Sequence, residues 1–283
     1  MSSSALGTYA PNTWCPGCGN FAILNGMKTV LKDLAEGVCP PENVVIVSGI
    51  GCHGKIVDYL DVNSFYAIHG RAIPVAEGIK IARPELKVIC FCGDGDAYGE
   101  GIEHLIFAAK RNVDITVVVH NNRVYSLTAF QYSPTSPAGF KGRSTPLGSV
   151  EAPINPLELL LAGRASFLAR GTSRGMTQLT HLFREAVVHR GFALVDVLQV
   201  CATYNNLYDY YARKVYDLQD HDPCDRTAAL ARIREWDYNS DARIALGILY
   251  RAEAATFEET FPASPPDGRD RDGRIRAFLD RSA

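Results

Sequence analysis

The sequence predicts an α/β fold, a mostly parallel sheet with helices on both faces. Two observations predict it. Short β-rich runs recur through about the first 200 residues, and several are separated by segments whose apolar residues repeat with helical spacing. The runs are also apolar at nearly every position rather than at alternate ones, as strands covered on both sides are.

Phe21, Leu24, Leu31 and Leu34 follow the helical period and stop before Gly37, a residue type that commonly ends helices. "NVVIVSGI" (43–50), "FYAIH" (65–69) and "KVICFCGD" (87–94) read as strands. Ile102, Leu105, Ile106 and Ala109 then give a helix, with Glu100 and Glu103 early and Lys110 and Arg111 late, the order a helix dipole favours. "ITVVVHNN" (115–122), "SFLAR" (166–170) and "ALVDVLQV" (193–200) continue the strands. Between the last two, Met176, Leu179, Phe183 and Val187 form a helical stripe before Gly191. From about 203 the pattern weakens. "TYNNLYDYYARKVYD" is aromatic-rich, "RTAALARIREW" and "DARIALGILYR" are expected to be helices, and "FPASPPDGRDRDGR" is a connector rich in proline, glycine and charge. The expected organisation is one domain over 1–202 and a C-terminal extension over 203–283, with no internal repeat.

Composition narrows the class. A chain of 283 residues can bury one large core or two modest ones. Its 29 basic and 31 acidic residues nearly balance, and no Lys/Arg block makes a stripe for a phosphate backbone, so nucleic acid is not an expected partner. No apolar run approaches the roughly 18 residues of a membrane span, and "MSSSALGTYAPNTW" lacks the apolar centre of a secretory signal. A cytoplasmic protein without a membrane partner is expected. In such a protein eight cysteines argue against a disulfide framework and for testing those with patterned spacing as metal or redox ligands. Cys39, Cys90, Cys92 and Cys224 have no such pattern and are expected to be ordinary buried or surface thiols.

The chemistry concentrates in "CFCGDGDAYGEGIEHLIFAAKRN" (90–112). A glycine turn running into a helix often cradles phosphate through backbone N–H groups, yet this one contains two carboxylates, Asp94 and Asp96. Mg²⁺ reconciles them, because a hard cation takes carboxylate and amide oxygens from the protein and phosphate oxygens from the ligand. A second oxygen ligand should then follow. After Gly93-Asp94-Gly95 come 25 residues, enough for one helix and one strand, and then Asn121-Asn122. A lone "GDG" is more often an ordinary turn; the Asn-Asn at the next strand end is what favours the cation.

A GDG turn followed at this distance by Asn-Asn resembles the thiamine-diphosphate motif, in which Mg²⁺ clamps the diphosphate to the protein. The resemblance implies Asp94 and Asn122 as side-chain ligands and the carbonyl of Val124 as a third. "CPGCG" (15–19) places two thiols before a helix beginning near Asn20, where a helix N-terminus favours thiolate. Taken alone, this pair suits a zinc half-site or a redox pair as well as a cluster. An oxidising thiamine enzyme can release electrons one at a time if an iron–sulfur cluster lies close, and a cubane cluster takes four thiolates. Cys52, in "GIGCHGK", and Cys201, after "LVDVLQV", are the candidates to complete the set.

Together "CPGCGN", "GIGCHGK", "HGRAIPVAEGIKIA", "GDGDAYGEGIEHLIFAAKRN", "NNRVYSLTAFQYSPTSP" and "VCATYNN" resemble the β subunit of 2-oxoacid:ferredoxin oxidoreductases over about residues 9–206. "CHGK" and "HGRAIP" are similar to the two-subunit type, which includes 2-oxoglutarate and broad 2-oxoacid enzymes. The resemblance implies a thiamine-diphosphate-binding (PP-type) domain with a C-terminal extension, and CoA-dependent oxidative decarboxylation of a 2-oxoacid to acyl-CoA with electrons passed singly to ferredoxin. It implies Cys15, Cys18, Cys52 and Cys201 on one [4Fe–4S] cluster, and Ile50, Gly51, Cys52, His53, His69, Gly95, Asp96, Ser126 and Leu127 against thiamine diphosphate.

His69 could instead be a core histidine and Lys55 a solvated lysine. Lys55, three residues beyond Cys52, and Leu127, after the Mg²⁺ loop, are expected near the reaction centre. His53 stands where the family often has a small residue, and "TAFQ" replaces its glycine-rich run, which leaves the local shape of the substrate pocket open. The chain has no room for the pyrimidine-binding domain that carries the activating glutamate of thiamine enzymes. A larger α subunit is expected to supply it, with much of the coenzyme A site. Two other classes remain: a non-redox thiamine decarboxylase or synthase, which needs no four-cysteine set, and a zinc-stabilised interaction subunit, which makes no use of "GDG…NN". Within the family, 2-oxoglutarate is the favoured substrate, with pyruvate or a broad range as the alternative.

Overall fold

The computed structural model describes residues 6–37, 39–261 and 271–281. Residues 1–5 of the amino-terminal stretch and 262–270 of the expected connector lie outside the described residues. The chain begins with α1 (Asn20–Ala35), β1 (Val44–Ser48), the short α2 (Ile56–Tyr59), β2 (Asn63–Tyr66), α3 (Ala72–Ala82) and β3 (Lys87–Gly93). A π-helical turn over Gly95–Glu100 leads into α4 (Ile102–Arg111), then β4 (Ile115–Asn121), β5 (Val124–Tyr125), β6 (Gln131–Tyr132) and α5 (Pro156–Ala162). There follow β7 (Phe167–Thr172), α6 (Met176–Val188), β8 (Ala193–Leu198), α7 (Tyr208–Lys214), β9 (Val215–Asp217), α8 (Arg226–Arg234), β10 (Ile244–Arg251) and α9 (Arg271–Asp280).

Eight strands form one sheet in the order β2-β1-β3-β4-β8-β7-β10-β9, parallel throughout except where β10 runs antiparallel to β7. The side chains explain its two covered faces. Along β3, Val88, Cys90 and Cys92 pack into one core with α3, α4, α5 and α8, while Ile89 and Phe91 pack into the other with α1 and α6. A strand that is apolar at every position feeds two cores, one residue to each in turn. Each fully buried Val, Ile or Phe there contributes about 1.5–3 kcal/mol. The helical stripe of α4 also falls as its spacing requires, with Leu105 and Ala109 buried and Ile102 and Ile106 packed against the same core.

Three expectations are corrected. "DARIALGILYR" is not a helix, because Ile244–Arg251 is the strand β10. A short run that is apolar throughout has no period to distinguish helix from strand. The open edge of β7 decides it, and Gly247, at φ 135°, admits the irregularity between Ile248 and Tyr250. The strand read at 65–69 is Asn63–Tyr66, so His69 lies beyond its end, in the turn before α3. The GDG segment enters α4 through a π-helical turn rather than directly, a form that single-turn insertions at functional sites often take. Residues beyond 202 contribute β9 and β10 to the same sheet. Cys39, Cys90 and Cys92 are buried and Cys224 is exposed, as ordinary thiols are. Among the described residues no helix is long and apolar enough to cross a membrane.

Candidate cofactor site

The carboxyl ends of β1, β3 and β4 lie side by side, because β3 pairs with both neighbours. The loops leaving those ends wall a small cavity of about 60 Å³ of free space. Ile50, Gly51, Cys52 and His53 line it from the β1 loop, and Asp94, Gly95 and Asp96 from the β3 turn. Asn122, Val124, Ser126 and Leu127 line it from beyond β4, and His69 from the turn before α3. Every residue expected against the diphosphate or its cation therefore meets the same space. Lys55 does not line it.

Asp94 is almost fully buried, and burial pushes its carboxyl up to about 6 against the opposing hydrogen bonds of Ser133 and Thr135. Its Oδ2 accepts from both hydroxyls, at 3.1 Å from Thr135 Oγ1, which also lies 2.9 Å from Asn121 Oδ1. A carboxylate that desolvation penalises so strongly is one that a cation would stabilise. Asn122 Oδ1 accepts the Val124 N–H at 3.1 Å, and this contact folds the second ligand loop back toward Asp94. Behind it, Asn121 Nδ2 donates to Asp196 Oδ1, while Tyr98 and Tyr238 donate their hydroxyls to the same carboxylate. The loop is thus tied to the sheet by fully buried polar groups.

Nε2 of His53 lies 3.1 Å from the Gly93 amide and 3.6 Å from Asp96 Oδ2. The amide can only donate, so Nε2 accepts from it. Asp96 Oδ1 takes the Gly70 N–H at 2.7 Å, and its buried Oδ2 has no hydrogen-bond partner. Half-exposed His69 sets Nδ1 3.3 Å from both Asp96 Oδ1 and Glu100 Oε2. His120, at the end of β4, places Nδ1 2.9 Å from Asn20 Oδ1 and leaves buried Nε2 unpaired. Burial holds His120 well below the usual histidine range, so its ring is neutral. Asp96 Oδ2, His69 Nδ1 and His120 Nε2 are buried atoms of this cavity without a hydrogen-bond partner, which a bound polar group would answer. Glycine is required at the floor: a Cβ on Gly95 would stand 2.2 Å from the Tyr125 ring.

A second cavity, of about 250 Å³, adjoins the first and shares Asn20, Cys52, Asn122, Ser126 and Leu127 with it. Cys15, Cys18, Cys52 and Cys201 all line this second space, drawn from the approach to α1, the β1 loop and the segment after β8. Lys55 lines it too, with Nζ 2.5 Å from Thr13 Oγ1. Burial pushes the Cys18 thiol up to about 11 and raises Cys52 as well, against the hydrogen bonds from the Asn20 backbone to Cys18 and from Ser126 to Cys52. Among the described residues no three His, Cys, Asp or Glu side chains close on a point that holds a single ion. A cubane spreads its thiolates over four irons, and the expected Mg²⁺ set relies on amide and carbonyl oxygens, so neither group needs that geometry. Asn20, His120, Ser133, Thr135 and Gln199 were not singled out as site residues from sequence, although Asn20, His120, Ser133 and Thr135 stood inside motifs that were.

A glycine floor and a buried carboxylate meet at one sheet edge, an arrangement suited to a diphosphate bridged by a cation. The family described as thiamine pyrophosphate enzyme, C-terminal TPP binding domain, matches residues 49–197, and the family of the C-terminal part of the pyruvate ferredoxin oxidoreductase beta subunit matches 201–264. The 2-oxoacid:ferredoxin oxidoreductase subunit beta of Saccharolobus solfataricus is 39% identical over 277 residues, 92% of this chain and 88% of that protein. The 2-oxoglutarate oxidoreductase subunit KorB of Mycobacterium tuberculosis is 45% identical over 193 residues, 68% of this chain and 51% of that protein. A solved 2-oxoglutarate:ferredoxin oxidoreductase from Magnetococcus marinus, with 2-oxoglutarate, coenzyme A and succinyl-CoA bound, superposes with a TM-score of 0.86 at 33% identity, covering 99% of this chain and 91% of that one. The chain belongs to the β-subunit family of the 2-oxoacid:ferredoxin oxidoreductases.

Proposed function

We propose that this subunit works with a larger α subunit, which brings the pyrimidine-binding and coenzyme A parts, to decarboxylate a 2-oxoacid oxidatively to its acyl-CoA and pass the electrons to ferredoxin. The observation that carries this reading is the wall shared by the two cavities: Cys52, Ser126 and Leu127 face both the diphosphate space and the four-thiol space. A redox group held there would adjoin the space that the cofactor is expected to fill. Thiamine diphosphate, when bound, supplies the covalent chemistry, and a [4Fe–4S] cluster a one-electron exit.

The chain's own residues do the rest. Asp94, Asn122 and the Val124 carbonyl offer oxygens to Mg²⁺, with Ser133 and Thr135 orienting Asp94. Glycines 93 and 95 let the backbone approach the diphosphate, and His69 stands at its mouth. Cys15, Cys18, Cys52 and Cys201 hold the cluster, and Trp14, whose Nε1 donates to the Cys52 carbonyl at 2.6 Å, helps to cover it. Residues 1–202 carry both groups, and 203–283 form the extension, of which β9 and β10 complete the sheet.

The test is CoA-dependent viologen reduction by the anaerobically purified native assembly across a panel of 2-oxoacids. The expected result is turnover, fastest with 2-oxoglutarate. Release of CO₂ without viologen reduction would make the protein a non-redox thiamine enzyme, and zinc in place of iron would make it an interaction subunit.

The preference for 2-oxoglutarate rests on Lys55, a residue of the cavity next to the cofactor space, whose Nζ donates to Thr13 Oγ1. A positive head in a partly dehydrated pocket favours a second carboxylate, since the pair is screened less than at the surface. Leu127, half exposed on the shared wall, is the observation that favours pyruvate or a broad range, because an apolar wall accepts a methyl group. Lys55→Ile is expected to cost 2-oxoglutarate about 1–3 kcal/mol more transition-state stabilisation than pyruvate, read as kcat/KM for each. Equal losses would give Lys55 a structural or general role, and a loss selective for pyruvate would reverse the assignment.

A further inference from the structure

Between the two cavities a single hydroxyl touches both sets of ligands. Asn122 Nδ2 lies 3.4 Å from Ser126 Oγ, and Ser126 Oγ lies 3.5 Å from Cys52 Sγ. The direction of these contacts is fixed by chemistry. An amide nitrogen can only donate, so Ser126 Oγ accepts from Asn122 and its own proton goes to sulfur. An iron-bound thiolate has no proton of its own and can only accept. The geometry is also held from outside: Asn205 Nδ2 donates to the Asn122 carbonyl at 2.9 Å, while its backbone N–H bonds the Cys201 carbonyl at 3.0 Å. Asn205 thus ties the cation loop to the segment bearing the fourth thiol.

We infer that Ser126 is a positioning residue that couples the cation clamp to the cluster: its hydroxyl raises the cluster's reduction potential, and does so more strongly when Mg²⁺–thiamine diphosphate is bound. The inference rests on the function proposed above. Reduction adds one electron to the cluster, here from dithionite, and spreads negative charge onto the ligating sulfurs, so a hydrogen bond to sulfur stabilises the reduced form. A cation on Asn122 Oδ1 draws density from that amide, strengthens its N–H donation to Ser126 and thereby sharpens the Ser126 O–H as a donor to Cys52, as successive hydrogen bonds polarise one another. Linkage requires the converse. The reduced cluster should bind the cofactor more tightly than the oxidised one, by the factor that the potential shift sets. Gln199 supplies the contrast, for its Nε2 faces Cys18 Sγ at 3.5 Å and donates to the Val200 carbonyl at 2.8 Å, with no bond to the clamp.

The experiment is a dithionite titration of the anaerobic native assembly, following the cluster's EPR signal with and without saturating Mg²⁺–thiamine diphosphate. The wild-type midpoint should rise when the cofactor binds. Ser126→Ala should move the midpoint to more negative values and shrink the cofactor-dependent rise, Ser126→Thr should keep both, and Gln199→Leu should lower the midpoint while leaving the rise intact. Cofactor dissociation constants for oxidised and reduced wild type should differ by the matching factor and converge in Ser126→Ala. A wild-type midpoint indifferent to the cofactor overturns the inference, even if Ser126→Ala fails to assemble. So does a Ser126→Ala midpoint and rise equal to those of wild type. Absence of any iron–sulfur signal from the wild-type assembly overturns the functional reading itself, and the inference with it.

Discussion

Asp94→Asn is expected to abolish Mg²⁺-dependent binding of thiamine diphosphate and leave the iron content unchanged. Removing an outer-shell partner of a metal ligand already costs roughly 10–100-fold in affinity, and removing the charged ligand itself should cost more. The substitution keeps the shape, so the Ser133 and Thr135 hydroxyls still find an oxygen to donate to. The cofactor-free variant should also unfold no earlier than the wild type near neutral pH. Burial raises the Asp94 carboxyl to about 6, above its unfolded value, so the stability that goes with its protonated form is lost as pH rises through that range, and asparagine has no such charge to lose. Calorimetric titration with the cofactor and a thermal melt without it measure the two effects. Unchanged cofactor affinity would remove Asp94 from the clamp.

Cys201→Ser is expected to strip or damage the cluster while the diphosphate site still binds. Cys201 is buried on the wall of the larger cavity, away from Asp94. The bond from Asn205 Nδ2 to the Asn122 carbonyl holds the cation loop, and the serine variant leaves that bond in place. Iron should fall below about four per chain, electron transfer to ferredoxin should be lost, and thiamine diphosphate affinity should stay within roughly threefold of wild type. Full iron content with normal electron transfer would show that Cys201 is not a ligand. The set would then have to be completed from Cys39, Cys90, Cys92 or Cys224, of which the first three are buried and Cys224 is exposed.

Much of this was legible because local chemistry and topology agreed. Strands apolar at every position can only be covered on both faces, and a parallel sheet then brings the ends of β1, β3 and β4 to one edge, so "SGIGCHGK", "GDGD" and "HNN" had to converge. The cysteines were readable in the same way, since Cys52 and Cys201 each follow a strand. β10 was not readable, because its apolar residues have no period of their own and its identity is set by the open edge of β7, far away in sequence. Ser133 and Thr135 were hidden for a different reason. They reach Asp94 through the loop that returns after β6, and nothing in "SPTSP" tells which hydroxyl points inward. His120 was masked by its neighbours in "HNN", and its unpaired Nε2 becomes visible only once Asn20 is seen on Nδ1. Lys55 was expected at the reaction centre from its offset beyond Cys52. The 3₁₀ turn over Cys52–Lys55 sets it on the wall of the four-thiol cavity, which adjoins the diphosphate space.

The measurement that bears most directly on the central claim, that one small subunit holds both the diphosphate clamp and the electron exit, is the iron, acid-labile sulfide and thiamine diphosphate content of the native assembly purified without oxygen. Roughly four irons and four sulfides are expected for each copy of this chain, as a cubane on Cys15, Cys18, Cys52 and Cys201 requires, together with one bound cofactor released by chelating Mg²⁺. Thiamine diphosphate bound at full occupancy without iron and sulfide would contradict that claim.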